Sequence, residues 1–364
     1  MPKVKVCHVT HGIVGSGVEQ VIFNYCSRMT DRFQFDILYQ YEPNPEILKK
    51  FQEAGFNCIQ VPSKVSHPIK HLWTVYKTFK SNHYKIVHSH LDYFMNSYIC
   101  LLAMLAGVKK RIAHHHQAYQ KKNVMLSLLC AALRIPCKLF ATDWLACGEV
   151  AAVNGWGRGA VKNGRVMILP NAIDPDQFKF SESARKEIRK RYGFKDDDFV
   201  IGHVGRFFPQ KNHNFLIDVF FEVLKQKSNA KLLLLGDGPL QENIQRKVDL
   251  LGIGDSVIFA GIQKDTAPYY SAMDVFCFPS LYEGLGIVLL EAQFSGLPCY
   301  VSDVVPDEVC ISQKFCKNPF DAFQWVKKIT TTPVDVNART SLLKNEKYDI
   351  NCVFSKLLRI YEGN

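Results

Sequence analysis

Glu283 and Glu291 stand eight residues apart in Phe278-Pro279-Ser280-Leu281-Tyr282-Glu283-Gly284-Leu285-Gly286-Ile287-Val288-Leu289-Leu290-Glu291-Ala292. Residues 274–278 before the proline, apolar from Val275 on, read as a buried strand, and a second apolar run begins near Ile287. A strand, a glycine-flanked loop and a helix start make a place for an anion. Backbone N–H groups at a helix start, together with its dipole, suit a phosphate. Glycines there let the phosphate approach without a Cβ in the way. Glu283 lies just before this loop and Glu291 about one turn into the helix, so the two carboxylates can bracket one ligand and accept from sugar hydroxyls. Spacing alone suits a turn residue and a solvated helix residue equally well.

A second segment, Gly202-His203-Val204-Gly205-Arg206-Phe207-Phe208-Pro209-Gln210-Lys211-Asn212, tips that balance. A strand ends in glycine, and Arg206 and Lys211 follow, five residues apart, on a loop. Charge-assisted contacts from such a pair are what a diphosphate leaving group needs as negative charge develops on it. Alone, this too is an ordinary basic loop. Two such loops at corresponding strand ends are harder to dismiss.

The elements that must position these residues are legible along all 364 residues. Strand signals fall over 4–9, 35–39, 58–61, 86–88 and 111–114, and again over 200–204, 231–235, 257–259, 275–278 and 298–301, with helix-period segments between them. Alternating strands and helices predict parallel sheets flanked by helices. Two series predict two doubly wound α/β domains, whose ligands bind at the carboxyl ends of the strands. The expected division is 1–173, 174–345 and a terminal helix in 346–364 that packs back on the first domain, with the break near Leu169-Pro170-Asn171-Ala172-Ile173-Asp174-Pro175.

Composition narrows the function. The net charge is +11, and its distribution is uneven: residues 1–175 hold 21 Lys and Arg against 10 Asp and Glu, while residues 176–364 hold 24 of each. A basic first domain points to an anionic partner. Lys64, Lys70, Lys77 and Lys80 lie on a helix-like stretch with Leu72, Trp73, Val75, Tyr76 and Phe79, and Lys121, Lys122, Arg134 and Lys138 frame an apolar one. Basic amphipathic helices suit an anionic membrane surface, and no nucleic-acid motif accompanies the charge. The apolar stretches 94–108 and 124–137 fall short of the about 20 residues that cross a bilayer.

The 12 cysteines include no C-x-x-C pair and sit mostly in apolar segments, as Cys7, Cys26, Cys100, Cys130 and Cys277 do. They read as buried reduced thiols of a cytoplasmic protein. Asp196-Asp197-Asp198 and Asp174-Pro175-Asp176 satisfy a D-x-D pattern but read as turn residues. His88, His90 and His114-His115-His116 fit no local metal-ligand spacing, so no metal is expected. Gly12, Gly15 and Gly17 miss the dinucleotide fingerprint at Gln20, and Asp36 is read as preceding its strand, which disfavours a nicotinamide enzyme.

The second half resembles glycosyltransferase family 4, the retaining enzymes of GT-B fold. The resemblance is carried by Val204-Gly205-Arg206 with Lys211, Leu234-Leu235-Gly236-Asp237-Gly238-Pro239, the Pro279-Ser280 to Glu291 segment, and Ser295-Gly296-Leu297-Pro298. Looser matches in the first half are Gly15-Ser16-Gly17-Val18-Glu19, His88-Ser89-His90, Arg111-Ile112-Ala113-His114-His115-His116-Gln117 and Pro170-Asn171-Ala172-Ile173-Asp174. The histidine-rich segment and Ser302-Asp303 with Pro306 resemble the bacterial capsule and exopolysaccharide subgroup. Val304-Val305-Pro306 stands where that family commonly has two glycines.

The resemblance implies two Rossmann-like domains facing a central cleft and a transferase that needs no cofactor beyond its nucleotide-sugar co-substrate, expected to be a UDP-sugar. Arg206 and Lys211 would bind the donor diphosphate, Glu291 the ribose hydroxyls and Glu283 the sugar. Gly284, Leu285 and Gly286 would offer backbone groups, Gly205 and Gly236 belong to the same donor-binding set, and Gly15 and Gly17 would close over the phosphates. One of His114, His115 and His116, with His116 preferred, would touch the donor sugar. The expected acceptor is a glycan, lipid-linked in that subgroup. No nucleophile–base pair stands out in the sequence, in keeping with transfer on one face of the sugar, in which the donor's own phosphate helps deprotonate the acceptor. A nucleotide-sugar 2-epimerase of the same fold would need no acceptor, and a binding module would show no turnover; the Arg206, Lys211, Glu283 and Glu291 set argues against the epimerase.

Overall fold

The computed structural model describes residues 3–91, 94–116, 132, 134–339 and 343–363. The chain forms two compact units, Met1–Ala172 with Glu346–Asn364, and Ile173–Asn345.

The first unit is built on seven strands: β1 (Val4–Val9), β2 (Phe33–Tyr39), β3 (Asn57–Gln60), β4 (Ile86–Ser89), β5 (Lys110–His115), β6 (Asp143–Ala146) and β7 (Met167–Ile168). They pair in parallel in the order β3-β2-β1-β4-β5-β6-β7. Parallel sheets are covered on both faces, so the strand residues from Val6 to Val9 and from Ile86 to Ser89 are buried without alternation. The short strands β6 and β7 carry no run long enough to read from sequence. Asp36 lies inside β2, not before it, and its carboxylate accepts the Tyr84 hydroxyl at 2.5 Å.

The chain's last helix, Ile350–Glu362, belongs to this unit. Asp349 caps it by accepting from the Asn351 N–H at 2.8 Å, and Gly363 ends it at φ 84°. Between the caps, Ile350, Val353, Leu357, Ile360 and Tyr361 share a buried face. The described cysteines are all free thiols; Cys130 lies outside the described residues. Among those residues no helix is long and apolar enough to cross a membrane.

The second unit has six parallel strands, β8 (Phe199–Val204), β9 (Ala230–Leu235), β10 (Val257–Gly261), β11 (Val275–Phe278), β12 (Cys299–Ser302) and β13 (Phe315–Asn318), in the order β10-β9-β8-β11-β12-β13. Its core holds Leu216, Phe220, Leu232, Leu234 and Trp325. Strand order reverses between β1 and β4 in one sheet and between β8 and β11 in the other. Ligands of such folds bind at these reversals.

One buried ion cluster anchors the amino end of β11. Asp274 accepts from Arg185 Nη2 at 2.7 Å and from the Val200 N–H at 2.7 Å, with Arg189 Nη1 at 3.5 Å. Arg185 and Arg189 come from the helix Glu182–Arg191 and also donate to the Ala272 carbonyl. Removing one partner leaves buried charge uncompensated. Asp274→Ala is therefore expected to cost about 3–5 kcal/mol, read as a lower denaturant midpoint; a variant as stable as the wild type would refute the assignment.

Candidate active site

The reversal between β8 and β11 brings the two loops singled out by sequence together. The Leu281 N–H donates to the Gln210 carbonyl at 2.8 Å, and Gln210 Nε2 donates to the Tyr282 carbonyl at 2.8 Å. Across this seam Lys211 Nζ donates to Glu283 Oε1 at 2.6 Å, with side-chain exposures of 17% and 7%. Lys211 also stands over the Phe278 ring at 4.5 Å. Glu283 is thus a buried, paired carboxylate and not a solvated turn residue. Arg206, at the same strand end, is exposed; its guanidinium stacks on Phe208 at 5.7 Å and forms no hydrogen bond or ion pair with a described residue. A cation held in this way is available to an anionic ligand.

The loop after β9 buttresses Arg206. Gly236 has φ +125°, and a Cβ there would lie 2.3 Å from the Gly205 carbonyl oxygen; at Gly238 it would lie 2.6 Å from that of Phe207. Only glycine permits this approach. The Phe207 N–H then donates to the Asp237 carbonyl at 2.7 Å. Gly236 shapes the loop that presents Arg206.

Glu291 is on the helix Ile287–Phe294, whose N-cap Gly286 has φ +80°. It too is buried, accepting the Tyr270 hydroxyl at 2.7 Å, with Thr266 Oγ1 at 3.5 Å. The contact sets of Glu283 and Glu291 differ: one faces Lys211, the other the helix Ala267–Ala272. Leu285 is buried between Gly284 and Gly286. The first N–H groups of the helix lack intrahelical acceptors, as at any helix start. Gln210 and Tyr270 carry no motif, and only the tertiary contacts reveal them.

In the first unit, Gly15 has φ +83° and Gly17 opens the helix Gly17–Cys26. Glu19 folds back onto this loop, and its Oε2 accepts the N–H groups of Val14, Gly15 and Ser16 at 2.9, 2.7 and 2.8 Å. Those donors are therefore already engaged. The signal for this was present, since a glutamate three residues after a serine is a helix-start pattern.

The histidines that fit no local metal spacing are gathered by β1, β4 and β5. His8, His88 and His90 offer ring nitrogens within 4.8 Å of one another, as do His90, His114 and His116. His90 stacks on His88 with centroids 4.1 Å apart, and its two nitrogens make 2.9 Å contacts with His8 and His116. Burial drives all of them toward the neutral form, His8 and His115 to about 3 and His116 to about 4. For His116, the adjacent Asn171 side chain pulls weakly the other way. The D-x-D segments take part in turns: Asp198 accepts the Lys195 N–H at 2.8 Å, and Asp174 accepts the Asp176 N–H at 3.1 Å.

Two doubly wound units, one with cations and buried carboxylates at its strand reversal, have counterparts among known proteins. Residues 184–347 match the family of glycosyl transferases group 1. The putative glycosyltransferase EpsF of Bacillus subtilis (strain 168) is 35% identical over 314 residues, 84% of this chain and 80% of that protein. The UDP-Gal:alpha-D-GlcNAc-diphosphoundecaprenol alpha-1,3-galactosyltransferase of Escherichia coli is 27% identical over 346 residues, 88% and 84% of the two chains. Among solved structures, Anabaena Alr3699/HepE in complex with UDP and glucose superposes with a TM-score of 0.82 at 16% identity, covering 99% of this chain and 100% of that one. The fold is GT-B, with two Rossmann-like units. The chain belongs to the group 1 glycosyltransferases, as its sequence resemblance implied.

The buried histidines make a pH prediction. Their folded pKa values lie below the unfolded value of about 6.5, so the unfolded chain binds more protons between the two. Stability is full above about pH 6.5 and falls as pH drops toward 4, by up to about 1.4 kcal/mol per pH unit for each histidine. A melting temperature that is level from pH 8 to 7 and drops steeply below 6.5 is expected; a level profile down to pH 5 would contradict the burial.

Proposed function

We propose that the protein transfers a hexose or N-acetylhexosamine from a nucleotide sugar, a UDP-sugar, to a lipid-linked glycan acceptor in cell-surface polysaccharide biosynthesis, with retention of anomeric configuration. The observation that carries this reading is the Lys211–Glu283 pair at the β8–β11 reversal, beside an Arg206 with no anionic partner among the described residues. Arg206 and Lys211 bind the diphosphate and stabilise the charge that develops as the bond from anomeric carbon to phosphate oxygen breaks. Glu283, oriented by Lys211, accepts from the sugar hydroxyls, and Glu291, oriented by Tyr270, accepts from the ribose. Gly284, Leu285 and Gly286 offer backbone groups. In the same reading His116, Gly15 and Gly17 also contact the donor. The new bond forms to the acceptor oxygen on the face the diphosphate leaves, and the acceptor's proton passes to a phosphate oxygen of that leaving group. Two cations already serve the phosphates, so turnover proceeds without a divalent metal ion. The donor and acceptor classes are supported by the E. coli relative, whose name specifies UDP-Gal and a diphosphoundecaprenol-linked sugar.

A thermal-shift screen of UDP-, GDP- and ADP-sugars tests the donor, because a ligand that binds only the folded state raises the melting temperature. UDP-sugars are expected to give the largest shift. Arg206→Ala and Glu291→Gln should weaken donor binding about 10- to 100-fold, the range for losing hydrogen bonds to charged groups. Full donor affinity in both variants would remove the site assignment. Product of inverted anomeric configuration, or turnover abolished by EDTA, would remove the proposed mechanism.

A lipid-linked acceptor requires contact with a membrane, and the helix Pro68–Asn82 supports it. His71, Val75 and Phe79 face the core, while Val65, Ile69, Leu72 and Trp73 are 78, 83, 42 and 59% exposed. Ile69, Leu72 and Trp73 follow helical spacing, and exposed Lys70, Lys77 and Lys80 flank them, Lys77 standing 4.7 Å over the Trp73 ring. Apolar residues rimmed by lysines suit the anionic inner face of the cell membrane, and the buried thiols suit the cytoplasm. Lys121 and Lys122 lie outside the described residues. Flotation with anionic liposomes should recover the protein at low salt and lose it in Ile69→Asp/Trp73→Glu; equal recovery of wild type and variant, or none at low salt, would contradict this face.

A further inference from the structure

The loop that follows β1 closes around a carboxylate. Val14, Gly15 and Ser16 direct three successive N–H groups at one oxygen of Glu19, 2.9, 2.7 and 2.8 Å away, and the Ser16 hydroxyl donates to the other at 2.9 Å. Gly15, at φ +83°, gives the turn its concave shape. Successive N–H groups in such a turn form the kind of nest that holds phosphate in other proteins. Here the anion is the chain's own. Glu19 is 3% exposed and has no cationic partner among the described residues. Burial pushes its pKa up, and the bonds from Ser16, Val14 and Gly15 pull it down.

Helix capping does not account for all of these contacts. The helix Gly17–Cys26 begins after Ser16 and has Glu19 in its first turn, and that pattern needs only the Ser16 N–H. The bonds to Val14 and Gly15 lie beyond it and organise the loop itself. Their direction also gives the loop two faces. The N–H groups point inward to buried Glu19, while Gly15, Ser16 and Gly17 are exposed. The outer face, with no Cβ at positions 15 and 17, admits a close approach. This loop leaves the carboxyl end of β1, beside the reversal between β1 and β4 where ligands of such folds bind.

We propose that Glu19 is a positioning residue, which fills the nest as an internal anion and so holds the Gly15–Gly17 loop ready for the donor. The proposal rests on the reading that Gly15 and Gly17 contact the donor, and it changes how they do so. The loop meets the phosphates through the open space at its glycine Cα atoms, while the N–H groups of residues 14–16 stay with Glu19. Glycines lose more freedom than other residues when they are ordered. With Glu19 in place they are ordered on folding, so donor binding does not bear that cost.

Glu19→Ala empties the nest. In the full chain it should raise the Kd of the best UDP-sugar from the thermal-shift screen about 5- to 30-fold, the effect of leaving one backbone residue to be ordered by the ligand. Sodium formate, a small carboxylate, should restore affinity well beyond sodium chloride at equal ionic strength; wild-type binding should not distinguish the two salts. Glu19→Gln keeps one acceptor oxygen and loses the charge. It should raise Kd less, and it carries the test if the alanine variant does not fold. Unchanged Kd in these variants reduces Glu19 to a helix cap, and tighter binding makes it a competitor of the donor phosphate for the nest. Weakened binding of Glu19→Ala that formate does not recover means that the side chain does not act as an anion. Each of these outcomes overturns the proposal. Gly17→Ala tests the reading beneath it. Alanine favours a helix more than glycine does, so the added methyl group should raise Kd without lowering the melting temperature. Unchanged Kd there removes the loop's contact with the donor, whereas recovery by formate of the melting temperature lost in Glu19→Ala would still identify Glu19 as the loop's anion.

Discussion

Where strand order reverses in a parallel sheet, the chains leaving two neighbouring strands turn to opposite sides. In the second unit these strands are β8 and β11, and the gap between their exits cannot be filled by either connection. The Arg206–Lys211 loop leaves one strand and the Pro279–Glu283 loop the other. Gln210 ties them with two hydrogen bonds, and Lys211 meets Glu283 there. The remaining features of this site follow from keeping that gap open. Gly236 and Gly238 let the next loop press on Gly205 and Phe207, and Asp274 with Arg185 and Arg189 anchors the far end of β11.

The two strand reversals handle buried polar groups differently. In the second, carboxylates are buried because each has a partner: Glu283 a lysine, Glu291 a tyrosine, Asp274 two arginines and a backbone N–H. In the first, the polar groups at the strand reversal are histidines kept neutral by burial. His90 meets the neutral rings of His8 and His116 through its two nitrogens, and this arrangement needs no counter-charge. Glu19 and Asp36 are the first unit's buried, partnered carboxylates, and its surplus of positive charge lies on faces such as that of Lys70, Lys77 and Lys80.

Legibility differed by element. Long apolar strands such as β1, β8 and β9 announce themselves because burial on both faces leaves an unbroken apolar run. β7, with two residues, and β13, with Lys317 and Asn318 among its four, carry no such run, and pairing with a neighbour alone defines them. Asp36 was misplaced for a related reason: a carboxylate inside a strand is disfavoured by propensity, and the Tyr84 hydroxyl that accommodates it lies 48 residues away.

By itself the sequence determined the alternation of strands and helices, the two loops with their cations and carboxylates, and the family, because each depends on residues close in the chain. The tertiary structure alone decided which groups meet. Glu283 and Glu291 share a spacing but not a partner, since Lys211 is 72 residues from one and Tyr270 is 21 from the other. The histidines of three strands and a tyrosine 353 residues from His8 form one line. Local spacing denied those histidines any common role, because the register of parallel strands, and not sequence distance, sets which side chains become neighbours.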